Sequence, residues 1–213
     1  MATRRRELDD RAPAPALPRV FLRAPRPGDC EAFLARVAAS RALHDGWVDP
    51  PGDRESYRAW SQRADSQRCA GRLVCLRGGG ELVGVANLND IERRGEARAR
   101  LGFYGFAGHT GLGYVGEGVA ELLSLAFGAL GLSRVLAEVR PANARSRALL
   151  ASLGFRRDTA PARTLHVGGA WRAHECWALG ALAFGFRGGA GCPPGRSRRG
   201  ARPDRFPAGG GGT

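Results

Sequence analysis

The stretch from His109 to Glu117 contains three glycines, Gly111, Gly113 and Gly116, immediately before an apolar run. Glycine has no Cβ atom, so its backbone can approach a ligand closely, and the first turn of a helix has N–H groups without intrahelical partners. Such a turn is suited to binding a phosphate group. The run that follows has helical spacing and predicts a supporting helix with one buried face. Its apolar positions are Val119, Leu122, Leu123, Ala126, Phe127 and Leu130.

The three glycines also match the letters of the dinucleotide-binding fingerprint, G-x-G-x-x-G. That motif places its glycines directly after a strand and an acidic residue at the end of the next strand. Here residues 106–110 intervene, and the next predicted strand ends on Arg140. A Walker-type phosphate loop needs a lysine, and the chain contains none. A further alternative is a tight turn that binds no ligand and only precedes a core helix.

Characteristic segments follow one another in a fixed order around this turn. They are Leu101–Tyr104, the turn itself, Leu130–Val135, Arg140–Ser146 and Leu150–Phe155. Their succession resembles the GNAT superfamily of acetyl-CoA-dependent N-acetyltransferases, and within it the ribosomal-protein N-terminal acetyltransferase type. The resemblance runs from about Val20 to Leu179. It implies an enzyme that transfers an acetyl group from acetyl-CoA, its co-substrate, to a primary amine.

The resemblance assigns the cofactor site to the glycine turn and to the start of a later short helix. Main-chain N–H groups of the turn would bind the pyrophosphate, aided by the helix dipole. Asn143 would contact the pantetheine arm, and Ser146 would protonate the leaving thiolate. The alternative is that Asn143 only caps the short helix and Ser146 faces solvent. The predicted cofactor-binding residues are His109, Thr110, Gly111, Leu112, Gly113, Tyr114, Val115, Asn143 and Ser146.

In this superfamily a main-chain N–H polarises the thioester carbonyl where two parallel strands splay apart. The splay leaves sheet groups unpaired, so that the pantetheine arm can lie between the strands. Here the two strands would be Ala97–Phe106 and Arg134–Arg140.

The resemblance leaves open the base that accepts the proton of the amine. Arg100 stands where many relatives have a glutamate. Glu175 and His174 on the last predicted strand are the nearest candidates, and we predict Ser146 and Glu175 as the catalytic residues. An α-amine with a pKa of about 8 needs only modest help to lose its proton. No cysteine lies in the glycine turn or in the Asn143 helix, which favours direct transfer without a covalent enzyme intermediate.

Other positions depart from the superfamily pattern or belong to the expected acceptor site. Gly108, Thr110 and Leu112 replace residues that are often basic or polar, so phosphate binding would depend on the backbone and the helix dipole. The resemblance makes the segment around Trp47 a wall of the acceptor site. Trp60 is expected in the core, and His44 is expected to be a packing or surface residue.

Composition limits the function classes. A chain of 213 residues with 43% hydrophobic content predicts one domain. The net charge is +13, but residues 1–19 and 181–213 carry +2 and +5 of it, and every basic residue is arginine, which indicates a compositional bias rather than nucleic-acid binding. The five cysteines show no metal-binding spacing, so no metal is expected, and their odd number fits a reducing cytoplasm. No apolar run approaches the roughly 20 residues of a membrane span.

The elements predicted around the site define an α+β fold, a mixed and mainly antiparallel sheet flanked by helices. Predicted strands are Arg19–Ala24, Arg72–Leu76, Glu81–Asn87, Ala97–Phe106, Arg134–Arg140, Arg163–Val167 and Trp171–Leu179. Predicted helices begin after Pro27–Asp29 and at Arg54, ending at Arg68, with a short one over Asn143–Ser152. Residues 1–18 form a flexible leader, residues 19–180 the acetyltransferase domain, and residues 181–213 a disordered tail rich in glycine, arginine and proline.

Two functions of other classes remain open at this stage. Arg100 and Gly108 are compatible with an acyl-CoA-binding regulator that has lost catalysis. The arginine-rich tail is compatible with a ribosome- or RNA-associated protein. The acceptor, either a protein N-terminus or a small-molecule amine, and the oligomeric state carry no sequence signal.

Overall fold

The computed structural model describes residues 18–159 and 162–185, which surround a central sheet. The strands are β1 (Val20–Arg23), β2 (Asp65–Ser66), β3 (Cys69–Leu76), β4 (Leu82–Glu92), β5 (Arg98–Gly105), β6 (Arg134–Val139), β7 (Arg156–Arg157), β8 (Arg163–Val167) and β9 (Ala170–Gly180). The helices are α1 (Cys30–Ala39), α2 (Arg41–His44), α3 (Arg54–Arg63), α4 (Tyr114–Phe127) and α5 (Ala144–Ser152). The predictions for residues 1–17 and 186–213 fall outside the described residues.

The strand order is β1-β3-β4-β5-β6-β9-β7, with β2 beside β3 and β8 beside β9. The pair β5–β6 is parallel, and the other described pairs are antiparallel. This topology confirms the predicted α+β class and its single parallel pair among the described strands. No helix in these residues is long and apolar enough to cross a membrane.

Helix α4 covers one face of the sheet with the apolar stripe that its sequence predicts. Its side chains Val119, Leu122, Leu123, Ala126 and Phe127 are buried. Burial of each leucine stabilises the fold by about 1.5–3 kcal/mol relative to exposure. The helix packs so close to β3 that a Cβ atom on Gly118 would lie 2.8 Å from the Val74 side chain. Only glycine fits this contact, which fixes the start of α4 against the sheet.

Helices α1 to α3 cover the opposite face. Phe33 and Tyr57 are buried there against Tyr104 of β5, and Trp60 stacks on Phe33 with ring centroids 5.2 Å apart. Trp60 is therefore a packing residue, as expected. Because successive strand residues point to opposite faces, β5 gives Leu101 to the α4 face and Tyr104 to this one. Residues from both faces of the sheet line the candidate active site described below.

Some predicted boundaries were wrong. Helix α3 ends at Arg63 and not at Arg68, because the Ala64 carbonyl accepts the N–H of Gly71 and the chain turns back to pair Asp65 with Ala70. Strand β4 continues to Glu92 through an irregularity at Asp90, whose φ is +49°. Beyond Gly180, Phe184 packs against Phe127 with ring centroids 5.4 Å apart, and the bounds of the domain stay a prediction.

Candidate active site

Strands β5 and β6 are hydrogen-bonded over only part of their length. Their register runs from Arg98 opposite Arg134 to Leu101 opposite Ala137. Beyond that point β5 continues beside β4 to Gly105, and β6 continues beside β9 to Val139. The facing edges of the two strands therefore have no strand partner, and a cavity of about 940 Å³ opens between them. This gap is the splay that the sequence predicts.

The glycine turn forms one end of the cavity. Gly111 and Gly113 have φ values of +80° and +83°, a region that glycine adopts without strain. Gly113 is the N-cap of α4, and within the described part of the chain no side chain caps that helix. Glu117 donates its N–H to the Gly113 carbonyl at 3.1 Å, so the amides of residues 114–116 have no intrahelical acceptor. An anion is the ligand that such an uncapped N-terminus favours.

The residues predicted for this turn are placed together, with one exception. His109, Thr110, Gly111, Gly113, Tyr114 and Val115 line the cavity. Leu112 points away: it is 50% exposed, and its carbonyl accepts a hydrogen bond from Arg19 at 2.8 Å. The Leu112 side chain therefore does not line the cavity, and a contact of its main-chain N–H with the cofactor stays a prediction.

Arg19 braces the turn from outside the cavity. Besides bonding Leu112, its guanidinium donates to the Glu117 carboxylate at 2.7 Å and lies 4.7 Å from the centroid of the Tyr114 ring. These hydrogen bonds hold the pKa of Glu117 below its usual range. Glu117 is thus ionised and neutralised at neutral pH, so the anion site does not face an unpaired negative charge.

Asn143 and Ser146 meet at the start of α5. The Asn143 Oδ1 atom accepts the N–H of Ser146 at 3.1 Å, so Asn143 does cap the helix. Both residues also line the cavity, and Ser146 is half-buried rather than directed only to solvent. Among the described residues, neither the Asn143 amide nitrogen nor the Ser146 hydroxyl has a hydrogen-bond partner. Capping and contact with a ligand in the cavity are therefore compatible.

Glu175 does not belong to this cavity. It follows His174 on β9, so its side chain lies on the opposite face of the sheet. Its carboxylate is 3.1 Å from Arg147 and 3.4 Å from Arg157, and it accepts the Trp177 Nε1–H at 2.9 Å. The carboxylate links α5 and β7 to β9, and the catalytic role of Glu175 stays a prediction that these contacts do not favour.

Besides His109 of the glycine turn, two imidazoles line the cavity, those of His44 and His174. His174 donates its Nδ1–H to the Arg172 carbonyl at 2.8 Å, and His44 donates its Nε2–H to the Gly105 carbonyl at 2.8 Å. A carbonyl can only accept, so the neutral ring keeps a lone pair on the other nitrogen in each case. His44 is 5% exposed, and its Nδ1 has no partner among the described residues. A buried polar atom without a partner is costly and is common where chemistry occurs.

Tyr104 lies beside His44, with ring centroids 5.2 Å apart. It is 9% exposed and lines the cavity. Burial raises the pKa of its phenol, so Tyr104 keeps its proton across the neutral range. Tyr104 therefore has, like Ser146, a hydroxyl group that can donate a proton to a thiolate leaving group.

Arg100 and the cavity-lining Glu138 form an ion pair across β5 and β6. The same Glu138 oxygen accepts from Arg163 at 2.6 Å. At the position of the superfamily's glutamate the chain thus has a cation, while a carboxylate lies on the neighbouring strand. Two guanidinium groups engage that carboxylate, so Glu138 is not available as a free base.

A mixed sheet with a splayed parallel pair, a helix start without a side-chain cap and hydroxyl-bearing residues in the cavity, Tyr104 and Ser146 among them, are features that fit a transferase of acyl-CoA. The chain belongs to the acetyltransferase (GNAT) domain family, whose model matches residues 19–156. It is an acetyl-CoA-dependent N-acetyltransferase with acetyl-CoA as its co-substrate, and the predicted family and activity are confirmed.

Solved structures of several acetyltransferases share the fold. The RimJ protein of Mycobacterium smegmatis, solved in complex with CoA-disulfide, is 28% identical with a TM-score of 0.68, and the match covers 76% of this chain and 82% of that one. The ribosomal-protein-S5-alanine acetyltransferase of Vibrio fischeri is 19% identical, with a TM-score of 0.67 over 76% and 93%. The spermidine N-acetyltransferase of Vibrio cholerae is 15% identical, with a TM-score of 0.66 over 78% and 98%. The same fold thus occurs in proteins named for peptide and for polyamine acceptors.

Sequence reasoning missed residues whose side chains connect elements of the site that lie far apart in the chain. Arg19 and Glu138 belong to no motif, and the abundance of arginine throughout the chain hides the roles of Arg19 and Arg140. His44 was assigned to packing, and its buried unpartnered nitrogen became visible only once Gly105 was placed beside it.

Proposed function

We propose that this protein acetylates a primary amine, either a protein N-terminus or a small molecule, by direct attack of the amine on the thioester of acetyl-CoA. The cavity between β5 and β6 carries the proposal, because it joins the uncapped start of α4 to the imidazoles of His44 and His174. In the described chain no cysteine lines this cavity. That composition supports transfer without a covalent enzyme intermediate.

In this proposal one end of the cavity binds acetyl-CoA and the other end binds the amine. Acetyl-CoA supplies the acetyl group as a thioester, and the amides of residues 114–116 and Asn143 hold it. Main-chain N–H groups of the unpaired edge of β5 stabilise the negative charge on the carbonyl oxygen. The amine attacks the carbonyl carbon, the carbon–sulfur bond breaks, and the thiolate takes a proton from Ser146 or Tyr104.

The proton of the amine goes to His44 in this proposal. Its Nδ1 atom is buried and has no partner among the described residues, while its Nε2–H donates to the Gly105 carbonyl at the end of β5. His174 is a second imidazole that lines the cavity, and Glu175 takes no part.

The proposal is tested by incubating the full chain with acetyl-CoA and a panel of peptides and small amines. We expect free thiol to form and one acetyl group to be added to the accepted amine, as measured by mass spectrometry. Each accepted peptide is repeated with its α-amine blocked, which separates α-amines from side-chain amines. Tight acetyl-CoA binding without thiol release for any amine would favour the regulator that has lost catalysis.

The alternative of a ribosome- or RNA-associated protein depends on residues outside those described. It is tested by removing residues 186–213 and measuring salt-dependent RNA retention. Equal retention by both forms would remove this alternative.

A further inference from the structure

The acceptor end of the cavity has an unusual charge balance. Glu138 is the carboxylate among the described residues that line the cavity. It is already neutralised by Arg100 and Arg163. This wall therefore has no free negative charge with which to bind a cationic acceptor.

Arg140 supplies the opposite charge. It follows β6, lines the cavity, and donates its Nη1–H to the Gly46 carbonyl. Its guanidinium carbon lies 4.6 Å from the centroid of the Trp47 ring. Among the described residues no carboxylate pairs with it. Arg140 is thus a positioned cation without a counter-ion, held by the loop between α2 and α3.

That loop is itself fixed above the site. The Asp49 carboxylate accepts the N–H of Gly168 at 2.9 Å, which joins the loop to the turn between β8 and β9. Trp47 and Arg140 therefore keep their positions at the mouth of the cavity, and the guanidinium remains free to bond a ligand with its other N–H groups.

We propose that Arg140 selects acceptors that carry a carboxylate close to the reacting amine, and disfavours acceptors with a second ammonium group. This inference rests on the proposed function and names its substrate class. A guanidinium pairs with a carboxylate through parallel N–H···O bonds, and it repels a second cation in a partly dehydrated cavity. A polyamine would leave Arg140 unpaired and add a second positive charge beside it.

The experiment compares acceptors that differ only in charge. Three peptides begin with alanine followed by aspartate, asparagine or lysine, and free alanine, alaninamide and spermidine complete the set. We expect kcat/KM at saturating acetyl-CoA to fall about tenfold at each step from aspartate to asparagine to lysine, since one hydrogen bond to a charged group is worth about that much. The ratio of kcat/KM for alanine to that for alaninamide shows whether the α-carboxylate of a free amino acid can replace the side-chain carboxylate of a peptide. Binding of the same peptides to the protein saturated with CoA is measured by calorimetry, so the preference is read even without turnover.

Variants of Arg140 decide the assignment. Arg140→Gln should remove the preference for aspartate, Arg140→Lys should keep most of it, and Arg140→Glu should reverse it towards lysine. Arg58→Gln, on the exposed side of α3, is the matched control and should change nothing. Equal binding and turnover of the three peptides would overturn the inference, as would an Arg140→Gln variant whose defect lies only in the KM for acetyl-CoA. If no amine is acetylated but CoA-loaded protein still prefers the aspartate peptide through Arg140, the selectivity stands and the proposed activity fails.

Discussion

The two ends of the cavity are built from different kinds of group. The cofactor end consists mainly of backbone: the positive-φ glycines 111 and 113, the amides that begin α4, and the unpaired edges of β5 and β6. In the proposed function, the acceptor end consists of side chains from elements far apart in the chain, namely His44, Trp47, Arg140 and His174, which all line the cavity. A site made of backbone depends on where glycine is allowed, whereas a site made of side chains depends on tertiary packing.

This difference predicts how substitutions act. Changes at the cofactor end should alter acetyl-CoA affinity through backbone conformation, and exposed side chains there should matter little. Changes at the acceptor end should alter turnover and acceptor choice while leaving acetyl-CoA affinity unchanged.

The largest effect is expected from Gly113→Val. A β-branched residue at φ +83° is strained by about 1–3 kcal/mol, and its Cβ atom would lie 3.1 Å from the Arg19 guanidinium that stabilises the turn. We expect acetyl-CoA affinity to fall about 100-fold, the upper end of that range, as measured by calorimetry.

Gly79→Val is the matched control. Gly79 lies in the turn between β3 and β4, and a Cβ atom there meets nothing within 4 Å. This variant should bind acetyl-CoA like the parent. If Gly113→Val folds by circular dichroism and also binds normally, the pyrophosphate site lies elsewhere.

Ser146→Ala tests the middle of the cavity, where the two ends meet. A hydroxyl that donates to the thiolate only as the carbon–sulfur bond breaks acts in the transition state, so kcat should fall by about 10²-fold with little change in acetyl-CoA affinity. Ser152→Ala, later on the same helix and exposed, should be silent. A kcat within about twofold of the parent would remove Ser146 from the mechanism and leave Tyr104 as the proton donor.

His44→Gln tests the acceptor end. Glutamine can still donate to the Gly105 carbonyl but has no basic nitrogen. Tyr104 and Phe106 lie beside the ring, and His44 also lines a second cavity of about 290 Å³ together with Arg41, Asp45 and Asp49. We expect about tenfold slower turnover near neutral pH, because general-base help is modest for an α-amine of pKa about 8.

The pH dependence separates a base from a packing residue. Above the pKa of the amine the acceptor is already deprotonated, so the difference between parent and His44→Gln should disappear. His166→Gln, exposed on β8, is the control. A defect that is equal at all pH values would show that His44 only supports the cavity wall.

The features that could be predicted from the sequence are those that depend on residues close together in the chain. The stripe of α4 and the glycine turn depend on residues a few positions apart, and both were found in place. The ion pairs of Glu175 with Arg147 and Arg157 depend on how β9 pairs with its neighbours, and the pairing of Val139 with Glu175 cannot be derived from either strand alone. The Arg140–Gly46 bond joins residues 94 positions apart, so no spacing rule could reveal the cation at the acceptor end.

The smallest change in acetyl-CoA affinity is expected from Arg19→Leu. Arg19 is the exposed residue that bonds the glycine turn at Leu112 and Glu117. Exposed ion pairs contribute about 0.2–1 kcal/mol, so acetyl-CoA affinity should fall by no more than about fivefold. The physical cause would be the Glu117 carboxylate, which loses its partner Arg19 and is left unpaired in the first turn of α4.

Arg19→Leu combined with Glu117→Gln should then restore most of the acetyl-CoA affinity, because the double variant removes the unpaired carboxylate that would repel the cofactor phosphates. Calorimetry of the four proteins at two salt concentrations measures this coupling, which should shrink at higher salt. A loss for Arg19→Leu as large as that for Gly113→Val, not recovered in the double variant, would show that the cofactor end also depends on a side chain and would break the contrast between the two ends.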